Sequence, residues 1–102
     1  MNRIAFTDLA EDDLIDIWVR IAPDNEAAAD RLVDELHEIT HKLVRFPGMG
    51  RAVDELHIGA RAFVHRDYLV VYRPMDYGIA VIRVVHGARD LTALEFPSAP
   101  AE

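Results

Sequence analysis

After a short opening stretch, Asn2 to Phe6, the hydrophobic pattern of this chain is helical up to Pro47-Gly48 and changes period there, and no other feature restricts the fold as much. From Asp8 to that point apolar residues recur at helical spacing; after it, β-branched and aromatic residues come in short runs. Leu14, Ile17, Trp18 and Ile21 follow i, i+3, i+4, i+7, while Asp12, Asp13, Asp16 and Arg20 fall off that stripe. Thr7 and Asp8, with Glu11 three residues after Asp8, mark a capped start, and Pro23 bounds the end. Asp24 is placed to cap a second helix whose stripe is Ala28, Leu32, Leu36, Ile39 and Leu43, reaching Phe46 before Pro47 and Gly48 stop it. A connection this short makes the pair an antiparallel hairpin, with Trp18 expected in its core.

The strand-like runs surround this hairpin. Asn2 to Phe6 places Ile4 and Phe6 on one side of a period-2 pattern. Arg61 to Val64, Tyr68 to Tyr72 and Ile79 to Val85 are separated by His65-Arg66-Asp67 and by Pro74-Met75-Asp76-Tyr77-Gly78, which read as two hairpin turns. The expected fold is α+β with the order β-α-α-β-β-β, a helical hairpin packed on one face of a small antiparallel sheet. At 102 residues there is room for one core, so residues 1–96 form a single domain and residues 97–102 a flexible C-terminal tail.

Composition removes whole classes of chemistry. The absence of Cys excludes disulfide scaffolds, thiolate zinc fingers, iron–sulfur clusters and Cys nucleophiles, and suits a reducing compartment, with the cytoplasm as the expected location. No apolar run is long enough to span a membrane, and Met1 to Asp8 contains no signal-peptide core. The net charge of −7 argues against a general phosphate-backbone binder. Charge is also unevenly placed: residues 1–38 carry 11 acids against 3 bases, and residues 39–102 carry 7 acids against 8 bases.

Two constellations could carry chemistry. His37-Glu38-Ile39-Thr40-His41 is a literal H-E-x-x-H on a helix, the pattern that gives zinc peptidases two imidazoles and a Glu base. At 100° per residue, however, both His lie more than about 100° from the apolar stripe. His37 and His41 therefore face solvent, and neither a metal nor a cofactor is expected. The second set is basic and aromatic: Arg51, Arg61, Arg66, Tyr68, Tyr72, Arg73, Arg83, His86 and Arg89. Arg supplies fixed charge for a phosphate, and His or Tyr can move protons in metal-free RNA cleavage. Strand alternation places Arg83 with Val81 and Val85, opposite Ile82 and Val84. Asp12, Asp13 and Asp16 read as a solvated acidic face.

Five pieces, in this order and spacing, resemble the ParE branch of the ParE/RelE toxin superfamily of type II toxin–antitoxin (plasmid stabilisation) modules. They are Leu9-Ala10-Glu11-Asp12-Asp13-Leu14-Ile15-Asp16-Ile17-Trp18, Leu43-Val44-Arg45-Phe46-Pro47-Gly48-Met49-Gly50-Arg51, Gly59-Ala60-Arg61, Tyr68-Leu69-Val70-Val71-Tyr72-Arg73, and Ile79 through Asp90. The resemblance implies a toxin that poisons DNA gyrase without catalysing a reaction and is held inactive by a ParD-like antitoxin. It also implies a C-terminal antitoxin segment that folds as an amphipathic helix, often with a strand, along the hairpin and sheet. Arg51, Arg61, Tyr68, Tyr72, Arg83, His86 and Arg89 are the candidates for contact with antitoxin or target, and no sequence-specific nucleic-acid contact is expected. The alternative is a RelE-type, ribosome-associated mRNA endonuclease using Arg61, His86 and Arg89. Against that pattern, Leu69 stands where an Arg is expected and Ala93 or Leu94 where a late Tyr is expected.

Overall fold

A computed structural model describes residues 2–101. Strand β1 (Arg3–Phe6) leads into helices α1 (Asp8–Ile21) and α2 (Glu26–Arg45). Strands β2 (Arg51–Ala52), β3 (Arg61–His65), β4 (Tyr68–Met75) and β5 (Gly78–His86) follow, and a 3-10 turn covers Leu91–Ala93. The five strands form one sheet in the order β1-β5-β4-β3-β2. The predicted architecture holds, with two changes. The two-residue β2 adds a strand beside β3, and β1 runs parallel to β5 while every other pair is antiparallel.

Local chemistry sets the boundaries. The cap of α1 is Thr7 rather than Asp8: its hydroxyl accepts from Ala10 N at 3.0 Å. The cap of α2 is Asn25 rather than Asp24, through Asn25 Oδ1 and Ala28 N. Asp24 instead spends its backbone N–H on the Ile21 carbonyl, within the turn. Strand β4 extends beyond Tyr72 to Met75. Pro74 is tolerated there because β3 reaches only as far as Tyr72 along β4, so no neighbouring strand needs the missing N–H.

The sheet is covered on both faces. Leu14, Ile17, Leu36, Leu43, Val70 and Tyr72 belong to the core between hairpin and sheet. On the other face Val53, Leu69, Val71, Tyr77, Ile82 and Val85 form a second core, roofed by Leu56, Leu91, Leu94 and Phe96. Where a flexible tail was expected from residue 97, Ala99 packs on this second core and the Tyr77 hydroxyl donates to the Pro100 carbonyl at 2.7 Å.

A β-bulge between β4 and β5 corrects the alternation expected around Arg83. Val71 pairs with Arg83 and Tyr72 with Val81, so Ile82 is the extra residue. One added residue reverses every side chain beyond it. Val81 therefore lies in the hairpin-side core and Val85 in the other, and Arg83 shares the register of Val71 rather than the face of Val81.

The bulge is held by the first helix. Because β1 ends at Phe6, the outer edge of β5 beyond Val81 has no partner strand. The Thr7 hydroxyl donates to the Ile82 carbonyl at 2.7 Å, and Asp13 Oδ2 accepts from Val84 N at 2.9 Å. Asp13 also receives both Arg83 Nε at 2.7 Å and Arg83 Nη2 at 2.8 Å, a two-pronged ion pair with each residue below 10% exposure. The remaining Arg83 nitrogen donates to the Glu95 carbonyl at 2.8 Å, joining hairpin, sheet and C-terminal segment. The Asp13 carboxylate is thus a structural anchor and not part of a solvated face.

A second polar anchor joins α2 to the β3–β4 turn. Glu35 accepts from Arg66 Nε at 2.9 Å and Nη2 at 3.2 Å, and its Oε1 lies 2.7 Å from His65 Nε2. Arg66 sits at φ 54°, left-handed backbone that a side chain rarely adopts, so this contact helps fix the turn. The Arg66 hydrogen bond, then that of His65, holds the Glu35 carboxyl below its ordinary value of 4.5. A depressed native pKa gives a contribution that is complete above the unfolded value and disappears as pH falls through the native one. Glu35→Gln is therefore expected to lower the denaturant midpoint at pH 7 and to leave it at the wild-type value well below pH 4.5. Chemical unfolding at both pH values checks this, and a deficit that persists at low pH would mean that the carboxylate charge is not what matters.

Candidate functional site

Of the three nuclease candidates, Arg61 is set apart from His86 and Arg89. Arg61 begins β3 and pairs with Tyr72, whereas His86 ends β5 and pairs with Tyr68. Tyr68 and Tyr72 are four positions apart along β4, roughly 13 Å at 3.3 Å per residue, so Arg61 and His86 lie toward opposite ends of the sheet. Arg61 is already engaged: its Nε donates to the Gly50 carbonyl at 2.7 Å and its Nη2 to that of Gly48 at 3.3 Å. His86 and Arg89 share one turn, with Arg89 N bonded to the His86 carbonyl. His86 Nδ1 accepts from Ala88 N at 3.1 Å, and its ring stands edge-on to Tyr68 at 5.4 Å. His86 is half-buried and Arg89 exposed.

The other candidates divide by exposure. Tyr72 is fully buried, its hydroxyl donating to the Pro47 carbonyl at 2.6 Å and accepting from Gly50 N at 2.9 Å. It pins the loop after α2 from inside. Arg83 is committed to Asp13, which raises its already high pKa. Arg51 is exposed and 3.8 Å from Glu55, a surface pair that contributes little. Tyr68 is half-buried beside His86.

His37 and His41 are exposed, as their helical phase predicts. His41 Nδ1 lies 2.9 Å from the His37 carbonyl, and the His37 ring rests against Phe6 with centroids 5.7 Å apart. Among the described residues no three His, Cys, Asp or Glu side chains are grouped as a metal would require.

An apolar opening lies beside the hairpin. A groove of about 440 Å³ is lined by Phe6, Glu11, Leu14, Ile15, Trp18, Val33 and His37. Ile15 and the nearby Val19 on α1 are 60% and 57% exposed. Trp18 was expected in the core, but it is half-buried on the groove wall, its indole N–H donating to Asp30 Oδ1 at 2.7 Å. The sequence held a signal for this surface: Ile15 and Val19 are four residues apart, an apolar pair on the helix face away from the core.

The family model described as ParE toxin of type II toxin-antitoxin system, parDE, matches residues 4–91, from the first strand into the 3-10 turn. The chain belongs to the ParE toxin family. Toxin ParE3 of Caulobacter vibrioides is 26% identical over 94 residues, covering 91% of this chain and 94% of that protein. The fold is similar to that of a chain from the chromosomal ParDE TA system from P. aeruginosa, with a TM-score of 0.71 and 22% identity over 84% of this chain and 96% of that one. As a ParE toxin this chain is one half of a two-component system whose other half is an antitoxin. Among its described residues no helix is long and apolar enough to cross a membrane.

Proposed function

We propose that this ParE toxin arrests growth by binding DNA gyrase and trapping its cleaved DNA complex, without catalysing a reaction. The separation of Arg61 from His86 and Arg89 carries the non-catalytic part of this reading. General acid–base work needs groups within hydrogen-bond reach of one reacting phosphate, and an offset of roughly 13 Å along the strand does not allow it. Membership of the ParE toxin family is what supports gyrase as the target. The antitoxin takes the groove of α1 and α2, where an amphipathic helix covers Ile15 and Trp18 and places cationic residues against Glu11 and Asp30.

One experiment tests both parts. Antitoxin-free toxin is incubated with gyrase, ATP and supercoiled plasmid, cleavage is trapped with detergent and protease, and linear DNA is counted. Linear DNA severalfold above the gyrase-only level, suppressed by antitoxin, is the expected result. With Ile15→Asp the linear DNA should persist despite antitoxin, because a charge in the groove removes the apolar contact. A folded, antitoxin-binding toxin that produces no linear DNA would sink the gyrase reading. Ribosome-dependent mRNA cutting lost in His86→Ala and Arg89→Ala would replace it.

A further inference from the structure

At the C-terminal end of α2, the surface differs in charge from the rest of the molecule. Residues 39–53 contain Lys42, Arg45 and Arg51 and no acid, in a chain whose net charge is −7. Arg61 is added from β3 by its bonds to the Gly48 and Gly50 carbonyls. Among the described residues no carboxylate lies within 4.0 Å of Lys42 or Arg45. Instead the Arg45 guanidinium stands over the Phe46 ring, 5.6 Å from its centroid. Phe46 and Met49 are 55% and 42% exposed and line an open groove of about 450 Å³ with Lys42, Arg45, His41 and a single carboxylate, Glu38, so its fixed charges are two cations against one anion. Cations in a last helical turn complement the helix dipole by themselves. That effect does not account for an aromatic ring and a thioether left in water beside them.

We infer that this basic end is where the toxin grips its target, and that the occupant is a protein segment carrying carboxylates around an apolar anchor. The inference rests on the gyrase reading and names the toxin's side of that contact. An apolar anchor covers Phe46 and Met49, the kind of central contact that dominates interface energetics, while carboxylates pair with Lys42 and Arg45 at the rim. A DNA backbone would satisfy the cations and leave Phe46 and Met49 exposed, and the chain's net charge repels phosphate at longer range. The apolar groove of α1 and α2, with Glu11 on its wall, lies on a different part of the hairpin, so antitoxin and target would use separate surfaces.

The test measures binding of full-length toxin to gyrase without DNA, using Lys42→Glu/Arg45→Glu and, separately, Phe46→Ser. Each variant's affinity for the antitoxin reports whether fold and groove are intact. The expected result is a loss of gyrase affinity of tenfold or more in both variants, with antitoxin affinity within twofold of wild type. Wild-type gyrase affinity in both variants would overturn the inference and leave the gyrase reading standing. Wild-type toxin that does not bind gyrase would overturn both. If gyrase is bound only when DNA is present and the charge-reversed variant loses binding to DNA alone, the occupant is nucleic acid and the protein-segment assignment fails.

Discussion

Asp13→Ala is expected to cost about 3–5 kcal/mol, the usual penalty for leaving one member of a buried ion pair without its partner. Its carboxylate takes two bonds from Arg83 and one from Val84 N, so the substitution strands a guanidinium and a backbone N–H at once. A domain of this size holds about 5–15 kcal/mol in total, so the variant should be close to unfolding at growth temperature. Asp13→Asn keeps one acceptor oxygen but turns an NH2 donor toward an N–H donor of Arg83 or Val84, and should fall between Ala and wild type. Asp13→Leu with Arg83→Met removes both charges, fills the space, and should recover much of the loss. Urea unfolding of the four proteins measures these differences. An Asp13→Ala midpoint equal to that of wild type would mean that water reaches the pair and that it does not hold the bulge. Arg83, by the same geometry, is a framework residue: its truncation should lower the stability of the free toxin before it changes any contact with a partner.

The second large effect is expected at the start of β5. Gly78 has φ +142°, and a Cβ there would overlap the Arg3 carbonyl oxygen and lie 2.8 Å from Arg3 N. Arg3 is its register partner, so the methyl group of Gly78→Ala strikes backbone, which cannot swing aside as a side chain could. The positive φ adds strain of its own. A loss of about 3 kcal/mol or more is expected, with amide protection lost first at Ile4, Ala5 and Phe6 as β1 leaves the sheet. Gly48→Ala is the control, since nothing lies within 4 Å of the added Cβ, and it should be close to neutral. Hydrogen exchange of the two variants separates this reading from a general intolerance of Gly replacement. Full protection of β1 in Gly78→Ala would show that the strand can shift to accept a side chain.

Periodicity, caps and turn residues are local, and they were legible. The stripe of α2 from Leu32 to Leu43 is buried as its spacing predicts, and the turns at Arg66-Asp67 and Asp76-Tyr77 connect the strands that they were expected to connect. His37 and His41 face water because the helical phase that buries Leu36 and Ile39 turns them outward. Trp18 was not legible from the same stripe. It stands at the margin of the apolar face, where a large ring can reach either the core or a groove wall, and the neighbouring helix decides between them through Asp30.

Residues 1–102 by themselves determined two helices, four of the five strands, the hairpin between the helices and the family pattern, because each depends on neighbours a few positions away. Only the tertiary structure decided the rest. The bulge at Ile82 has no local signature, since one extra residue in a β-branched run leaves the run unchanged while reversing the faces of Arg83 and Val85. Asp13 and Arg83 are 70 residues apart, and neither side chain shows in the sequence that the other will neutralise it. Arg61, Arg83, His86 and Arg89 look like one basic cluster when read along the chain. Folding sends Arg61 to one end of β3 and His86 to the opposite end of β5, because antiparallel pairing places residues by register rather than by sequence distance.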